Sequence, residues 1–374
     1  MTEGEGDVLM NIETPCLIID YDIMKRNIEK MAQISKNSGC VLRPHTKTHK
    51  IPEIAKIQIE AGANGITAAK VSEAEVMADN GIKDIFIAYP VIGEMKIKRV
   101  LELNKKIRLI VGVDSVEGAE ALSSAALTAG QTIEVRLEVD TGLRRTGVTY
   151  EKAVDFAQVI DSYKGIRLTG IFTFKGLVFE GKGTLERERA GFEEGCLMVE
   201  LAGRLREKGI NIKDVSVGST PTAIYAAQVK GVTEIRPGTY VFNDMMLVNM
   251  DVCSIDECAA SILTTVVSCN ANDYAVVDGG NKTFSTDAAL GVFPHYLKGY
   301  GRTMQDDQLV LERLSEEHGI ITLGEGAKTL KVGDTISIIP NHICTTVNLH
   351  DRAYFVKTGQ VINEVSIKGR GRVY

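Results

Sequence analysis

Three short segments of this 374-residue chain carry side chains whose types and spacing could do chemistry. The first is Arg43-Pro44-His45-Thr46-Lys47-Thr48-His49-Lys50. Crowding of Lys47 by Arg43, His45, His49 and Lys50 disfavours its ammonium form and favours the neutral amine, the species that attacks a carbonyl to form a Schiff base. The same octapeptide also reads as a solvated basic loop or a simple anion patch. The second segment is Val217-Gly218-Ser219-Thr220-Pro221-Thr222. Gly218 permits close backbone approach, Ser219 or Thr220 can cap a helix, and Pro221 suits a first helical position, so amides and hydroxyls converge as a phosphate cradle. Arg236-Pro237-Gly238-Thr239-Tyr240 supplies a second loop of the same kind, and an ordinary capped turn is the alternative reading of both. The third segment is Pro340-Asn341-His342-Ile343-Cys344. In an extended strand His342 and Cys344 share a face. An imidazole with a thiolate favours zinc over magnesium or calcium, and two protein donors leave positions open for water or substrate. A lone His-x-Cys also occurs as plain structure.

Two further patterns are set aside. Gly176 to Lys182 spells G-x-x-x-x-G-K, but Gly183 stands where a magnesium-binding hydroxyl is required, so nucleotide hydrolysis is rejected and a mobile loop is expected there. Cys253 and Cys258 have no second cysteine pair to complete a zinc site. His295, His318 and His350 have no readable partners and are expected at the surface or as satisfied core residues.

The elements that must position these residues are legible as β-branched runs alternating with amphipathic segments. Strands are expected at Val41–Arg43, Gly65–Ala68, Asp84–Ala88, Ile107–Val113, Ile133–Val139, Ile166–Phe172, Asp214–Val217 and Val232–Ile235. Helices are expected between them, among them Ser72–Asn80, opened by a Ser72-x-x-Glu75 capping box, and Glu186–Lys208. Eight βα units predict an α/β fold, a TIM (β/α)8 barrel over residues 20–245; a doubly wound sheet would place G-x-G-x-x-G after its first strand, and none follows. In a barrel the Lys47 segment ends the first strand at the catalytic face, and the Gly218 segment ends the seventh, where barrel phosphate sites sit. Strand-like runs at Ala259–Ser268, Tyr274–Val277, Thr335–Ile339 and Ala353–Val356 predict a β domain over residues 246–374, with residues 1–19 pairing to it.

Composition narrows the function classes. Apolar residues make up 44% and charged residues 25%, ordinary values for a globular enzyme. Forty-three basic against 49 acidic side chains give 43 − 49 = −6, with the signs interspersed, which argues against nucleic acid and anionic membrane as partners. The acidic N-terminal residues MTEGEGDVLMNI lack a signal-peptide pattern, and the seven scattered cysteines do not form a disulfide framework. A cytoplasmic protein is expected, with most cysteines as small buried apolar residues.

Taken together, these residues resemble the metal-activated fold-type III pyridoxal-phosphate enzymes, the family of D-serine dehydratase, D-threonine aldolase and D-threo-3-hydroxyaspartate dehydratase. The resemblance is carried by T-P-C-L-I-I-D at 14–20, the Lys47 octapeptide, E-V-D-T-G-L-R-R-T-G-V at 138–148 and V-G-S-T-P-T at 217–222. It continues through R-P-G-T-Y-V-F-N-D at 236–244, V-V-D-G-G-N-K at 276–282, E-E-H-G at 316–319 and P-N-H-I-C at 340–344. It implies an alanine-racemase-like barrel holding pyridoxal 5'-phosphate, a C-terminal β domain and a head-to-tail homodimer. Lys47 then matches the catalytic lysine that carries the cofactor. Gly218, Ser219, Thr220, Gly238, Thr239 and Tyr240 match positions around its phosphate, and Arg145 an arginine near its ring. His342 and Cys344 match ligands of zinc, or of manganese or cobalt.

The implied activity is that of a lyase on a small D-β-hydroxy amino acid. If the metal makes hydroxide a tolerable leaving group, a 2-oxo acid and ammonia result; if a base takes the hydroxyl proton instead, retro-aldol cleavage gives glycine and an aldehyde. Cys344 favours dehydration, because aldolases of this family tend to carry Asp there. An amino-acid racemase and a non-catalytic cofactor carrier are the remaining alternatives. One residue departs from the pattern: Phe174 stands where relatives place His or Tyr, so a polar role is absent or supplied by a neighbour such as Lys175.

Overall fold

Eight expected runs become eight parallel strands: Val41–Leu42, Ile66–Ala68, Asp84–Pro90, Arg108–Val113, Ile133–Asp140, Ile166–Phe172, Asp214–Val217 and Glu234–Ile235. The computed structural model describes residues 12–270, 273–304, 306, 308–324 and 329–374. The chain divides into two units, one built from 29–47, 54–238 and 372–374, the other from 48–53, 239–371 and the described part of 1–28. Within 1–19, residues 1–11 lie outside the described residues.

In the first unit the strands pair from Ile66–Ala68 round to Glu234–Ile235 and on to Val41–Leu42. A parallel bridge between His45 and Thr67 then joins the last neighbours, with Thr46 N–H donating to Thr67 O at 2.9 Å and Thr67 N–H to Pro44 O at 2.8 Å. The sheet is therefore a closed barrel, not an open doubly wound sheet. Part of its interior is ionic. Arg43, Arg136 and Glu234 are each at most 2% exposed. Arg43 Nε meets Glu234 Oε2 at 2.7 Å, Arg136 Nη1 holds Glu234 Oε1, and Arg136 Nη2 reaches Asp214 Oδ2 at 3.0 Å. Burial alone would raise the Glu234 carboxyl, but the two guanidiniums outweigh it and hold the group far below the usual carboxylate range.

Two local expectations are corrected here. The helix at 71–79, Val71–Asp79, starts after Lys70 with no side-chain cap, so the Ser72-x-x-Glu75 box does not form. Ser72 Oγ instead donates to the Tyr374 carbonyl at 2.5 Å, and Glu75 pairs with Arg99. The long helix runs Arg187–Glu207, close to its expected span. Residues 176–183 contain a small antiparallel hairpin, Val178–Phe179 against Lys182–Gly183, in place of the plain loop expected.

The second unit closes a barrel of six antiparallel strands: Ala260–Ser268, Thr335–Pro340, Gly301–Thr303, Leu309–Leu314, Gly319–Leu323 and Tyr274–Val277, the last returning to the first. Cys16–Asp20 extends it, antiparallel to Ala260–Ser268 and parallel to Arg352–Lys357, and Gln360–Ser366 forms the edge. Alternating Leu and Ile residues such as Ile262, Ile338, Leu311 and Ile321 are buried in this unit. Only Cys16, Cys40 and Cys258 of the seven cysteines are buried; Cys196 is exposed and the other three are half-buried, so most are not the core residues expected.

Candidate active site

Lys47 follows the first barrel strand and is half-buried, its own amide donating to His45 Nδ1 at 3.3 Å. Its Nζ lies 5.4 Å from the centre of the Phe174 ring, and the Arg145 guanidinium sits 4.7 Å from the same ring. Two sequence-predicted residues are thus brought together on one aromatic side chain, at cation–π range. Arg43 does not crowd Lys47 as expected, because its charge is already matched by Glu234 and Asp84 inside the barrel. Lys175 does not stand in for a polar residue at 174: its side chain is 1% exposed and ion-paired with Glu193 of the helix Arg187–Glu207.

The turn that carries Arg145 is built locally. Asp140 Oδ1 accepts from the amides of Gly142 at 2.9 Å and Arg144 at 3.0 Å, the bond pattern of an Asx turn. Thr146 Oγ1 donates to Glu138 Oε1 at 2.8 Å, while Glu138 Oε2 is buried with no partner among the described residues. Burial is the main reason that the Glu138 carboxyl is pushed up. Glu138 and Asp140 were not singled out by chemistry-first reading; the D-x-G spacing was the available signal for Asp140.

At the seventh strand Gly218 has φ +85° and a Cβ there would sit 3.0 Å from Ala223 Cα, so only glycine turns here without strain. Ser219 and Thr220 are buried. Ser219 N–H donates to Thr222 Oγ1 at 3.0 Å, and Thr222 Oγ1 donates to Glu194 Oε2 at 3.3 Å. The helix expected at Pro221 begins later, as the four residues Ala223–Ala226, so Pro221 belongs to the turn rather than to a helical first position. The turn is braced by the buried side chain of Glu194. Gly238 ends the 54–238 stretch of this unit, and Pro237 O accepts from His45 N–H at 3.0 Å.

In the second unit His342 and Cys344 are not on a strand. The strand stops at Pro340; His342 caps the short helix Ile343–Val347, which contains Cys344. The turn has a long-range partner: the buried Asp244 accepts from Ile343 N–H at 3.1 Å, while its other oxygen accepts from Leu247 N–H at 3.1 Å. The two side chains still lie close enough to shift each other's titration. Thr48 Oγ1 lies 3.2 Å and Thr239 Oγ1 3.6 Å from Cys344 Sγ. Tyr240, next to Thr239, is buried at 4% exposure. His342 Nδ1 is 2.7 Å from Asp287 Oδ2. Burial works against the His342 charge, yet Asp287 and Cys344 outweigh it and push its pKa up to about 11. Burial likewise raises the Cys344 thiol, but His342 brings it below its ordinary value. The pair offers one nitrogen and one sulfur donor, and a divalent cation bound there would take the place of a proton.

A family description reading "Alanine racemase, N-terminal domain" matches residues 19–245, and one reading "Putative serine dehydratase domain" matches residues 259–356. The chain belongs to the alanine racemase N-terminal domain family. Within this family's relatives, the D-threo-3-hydroxyaspartate dehydratase of Delftia sp. (strain HT23) is 35% identical over 91% of this chain and 93% of its own length. The D-threonine aldolase of Arthrobacter sp. is 32% identical over 98% of this chain and 96% of its own. A solved structure of D-threo-3-hydroxyaspartate dehydratase, a cysteine-to-alanine variant in a metal-free form, superposes with a TM-score of 0.88 at 32% identity, covering 96% and 98% of the two chains. Alanine-racemase-like architecture therefore describes both units.

Proposed function

We propose that this protein is a pyridoxal-phosphate- and divalent-metal-dependent lyase on D-β-hydroxy amino acids, and that it dehydrates them to a 2-oxo acid and ammonia. The observation that carries this reading is the His342–Cys344 donor pair, whose imidazole already has one nitrogen engaged by Asp287. When bound, pyridoxal phosphate supplies an electron sink for bonds at Cα and the metal a Lewis acid for the β-hydroxyl. The residues fit both groups. Lys47 would hold the cofactor through its amine and, once that amine is released by the substrate's own, would hold the Cα proton on its Nζ. Phe174 provides an aromatic face beside that amine, with Arg145 near the cofactor ring. Gly218, Ser219 and Thr220, with Gly238, Thr239 and Tyr240, hold the phosphate; the glycine at φ +85° lets the backbone approach it. His342 and Cys344 would hold zinc, with manganese or cobalt as substitutes, through one nitrogen and one sulfur donor.

Dehydration is favoured over retro-aldol cleavage by Cys344 and by the 35% identity to a dehydratase. Cleavage to glycine and an aldehyde is the second reading, supported by the 32% identity to an aldolase. We further assign a head-to-tail homodimer in the cytoplasm, in keeping with the family resemblance; among the described residues no helix is long and apolar enough to cross a membrane.

Incubation with a panel of D- and L-β-hydroxy amino acids tests the reading directly. The expected products are 2-oxo acid and ammonia from D-enantiomers, abolished in Lys47→Ala and on chelation. Glycine plus aldehyde would establish the aldolase reading, and mirror-image amino acid alone, with no effect of chelation, would replace both with a racemase.

A further inference from the structure

We propose that Asp287 is a positioning residue that commits His342 to the metal through Nε2. The inference deepens the reading above and rests on it, because it assumes that His342 is a ligand. An imidazole has two nitrogens, and which one faces a metal is set by the bond the other makes. Here Asp287 Oδ2 lies 2.7 Å from Nδ1.

The carboxylate is itself fixed. Its Oδ1 accepts from Ser285 Oγ at 2.5 Å and from Thr345 Oγ1 at 3.0 Å, and its own amide donates to Ser285 Oγ at 3.3 Å. Thr346 Oγ1 donates to His342 O at 2.9 Å and accepts from Ser285 N–H at 3.3 Å. The segment around Asp287 is thus tied to the turn around His342 by both side chain and backbone. Asp287 is not a third ligand, since no group of three or more His, Cys, Asp or Glu side chains converges as a metal site among the described residues. What it supplies is direction: a carboxylate on Nδ1–H fixes the ring plane and the tautomer and raises the basicity of Nε2.

The test is an equilibrium one that needs no turnover. Zinc affinity of the full-length protein is measured by competition with a chromogenic chelator for wild type, H342A, D287A and D287N. Loss of such an outer partner costs 10- to 100-fold in metal affinity, so D287A is expected to weaken binding by about 10- to 100-fold. D287N keeps an acceptor for Nδ1–H without the charge and should fall between D287A and wild type. In the cobalt-substituted protein, the sulfur-to-metal band from Cys344 should survive in D287A, which a collapsed site would not allow. If D287A does not fold, the isosteric D287N carries the comparison alone. D287A or D287N matching wild type, while H342A loses zinc, overturns the inference and leaves the metal reading intact. H342A matching wild type overturns the metal reading itself.

Discussion

Glu138 is a carboxyl at 3% exposure with one oxygen paired to Thr146 and the other unpartnered among the described residues, an expensive way to keep a charge. Its folded pKa is raised above the ordinary value of 4.5, mainly by burial. The fold therefore favours the protonated form. Relative to the unfolded chain, the protein gives up stability as pH climbs through the raised value, whereas below the ordinary value both states are protonated and nothing is lost. E138Q removes that dependence. The variant should gain on wild type in thermal melts as pH rises from about 4 to 8, with the two curves meeting at the acid end; parallel curves across that range would contradict the assignment. At this same scale Phe174 decides more by what it cannot do. It accepts no proton, and Lys175 is occupied by Glu193, so proton movement at Cα falls in this reading to Lys47.

At the scale of elements, the turn after the seventh strand is fixed by conformation as much as by composition. Gly218 occupies the left-handed region, and a methyl there would press on Ala223 Cα. A non-glycine residue in that region costs about 1–2 kcal/mol, so G218A should lower the unfolding free energy by at least that amount in urea titrations. It should also weaken pyridoxal-phosphate binding, read from the absorbance of the loaded protein. An unchanged midpoint and unchanged affinity together would mean that the turn is not the cradle. The turn at His342 follows a different logic. Its geometry depends on Asp244, pushed up to about 6 chiefly by burial, whose two oxygens hold the Ile343 and Leu247 amides.

At the scale of the whole molecule, each unit closes a barrel, eight parallel strands in one and six antiparallel strands in the other, and the second keeps an edge at Gln360–Ser366. The first barrel includes among its filling a buried ionic cluster of Arg43, Arg136 and Glu234. Breaking a buried ion pair leaves uncompensated charge and costs about 3–5 kcal/mol. E234Q takes the shared carboxylate from two guanidiniums at once, leaving Arg43 with Asp84 and Arg136 with Asp214, and should reduce stability by that order in denaturant titration. A change under about 1 kcal/mol would instead place the cluster among pairs that behave as if exposed to solvent.

The sequence by itself determined the eight strands of the first barrel, because β-branched runs and their turn residues act within a few positions of the chain, but in the second unit it left Gly301–Thr303, Leu309–Leu314, Gly319–Leu323 and Gln360–Ser366 unread. It determined the chemistry of the site as well: the amine of Lys47, the glycine-hydroxyl turn at 218–220 and the nitrogen–sulfur pair at 342 and 344 are matters of residue type. Tertiary structure decided who partners whom. Ser72 was free to cap a helix in the sequence and is taken by Tyr374, 302 positions away. His342 and Cys344 were read as a strand pair and sit on a helical turn, where the Ile343 amide is held by Asp244, 99 positions away. Asp287 gave no local signal, lying 55 positions from His342. A buried polar group must find a partner somewhere, and nothing in its own neighbourhood along the chain specifies which distant group folding will bring to it.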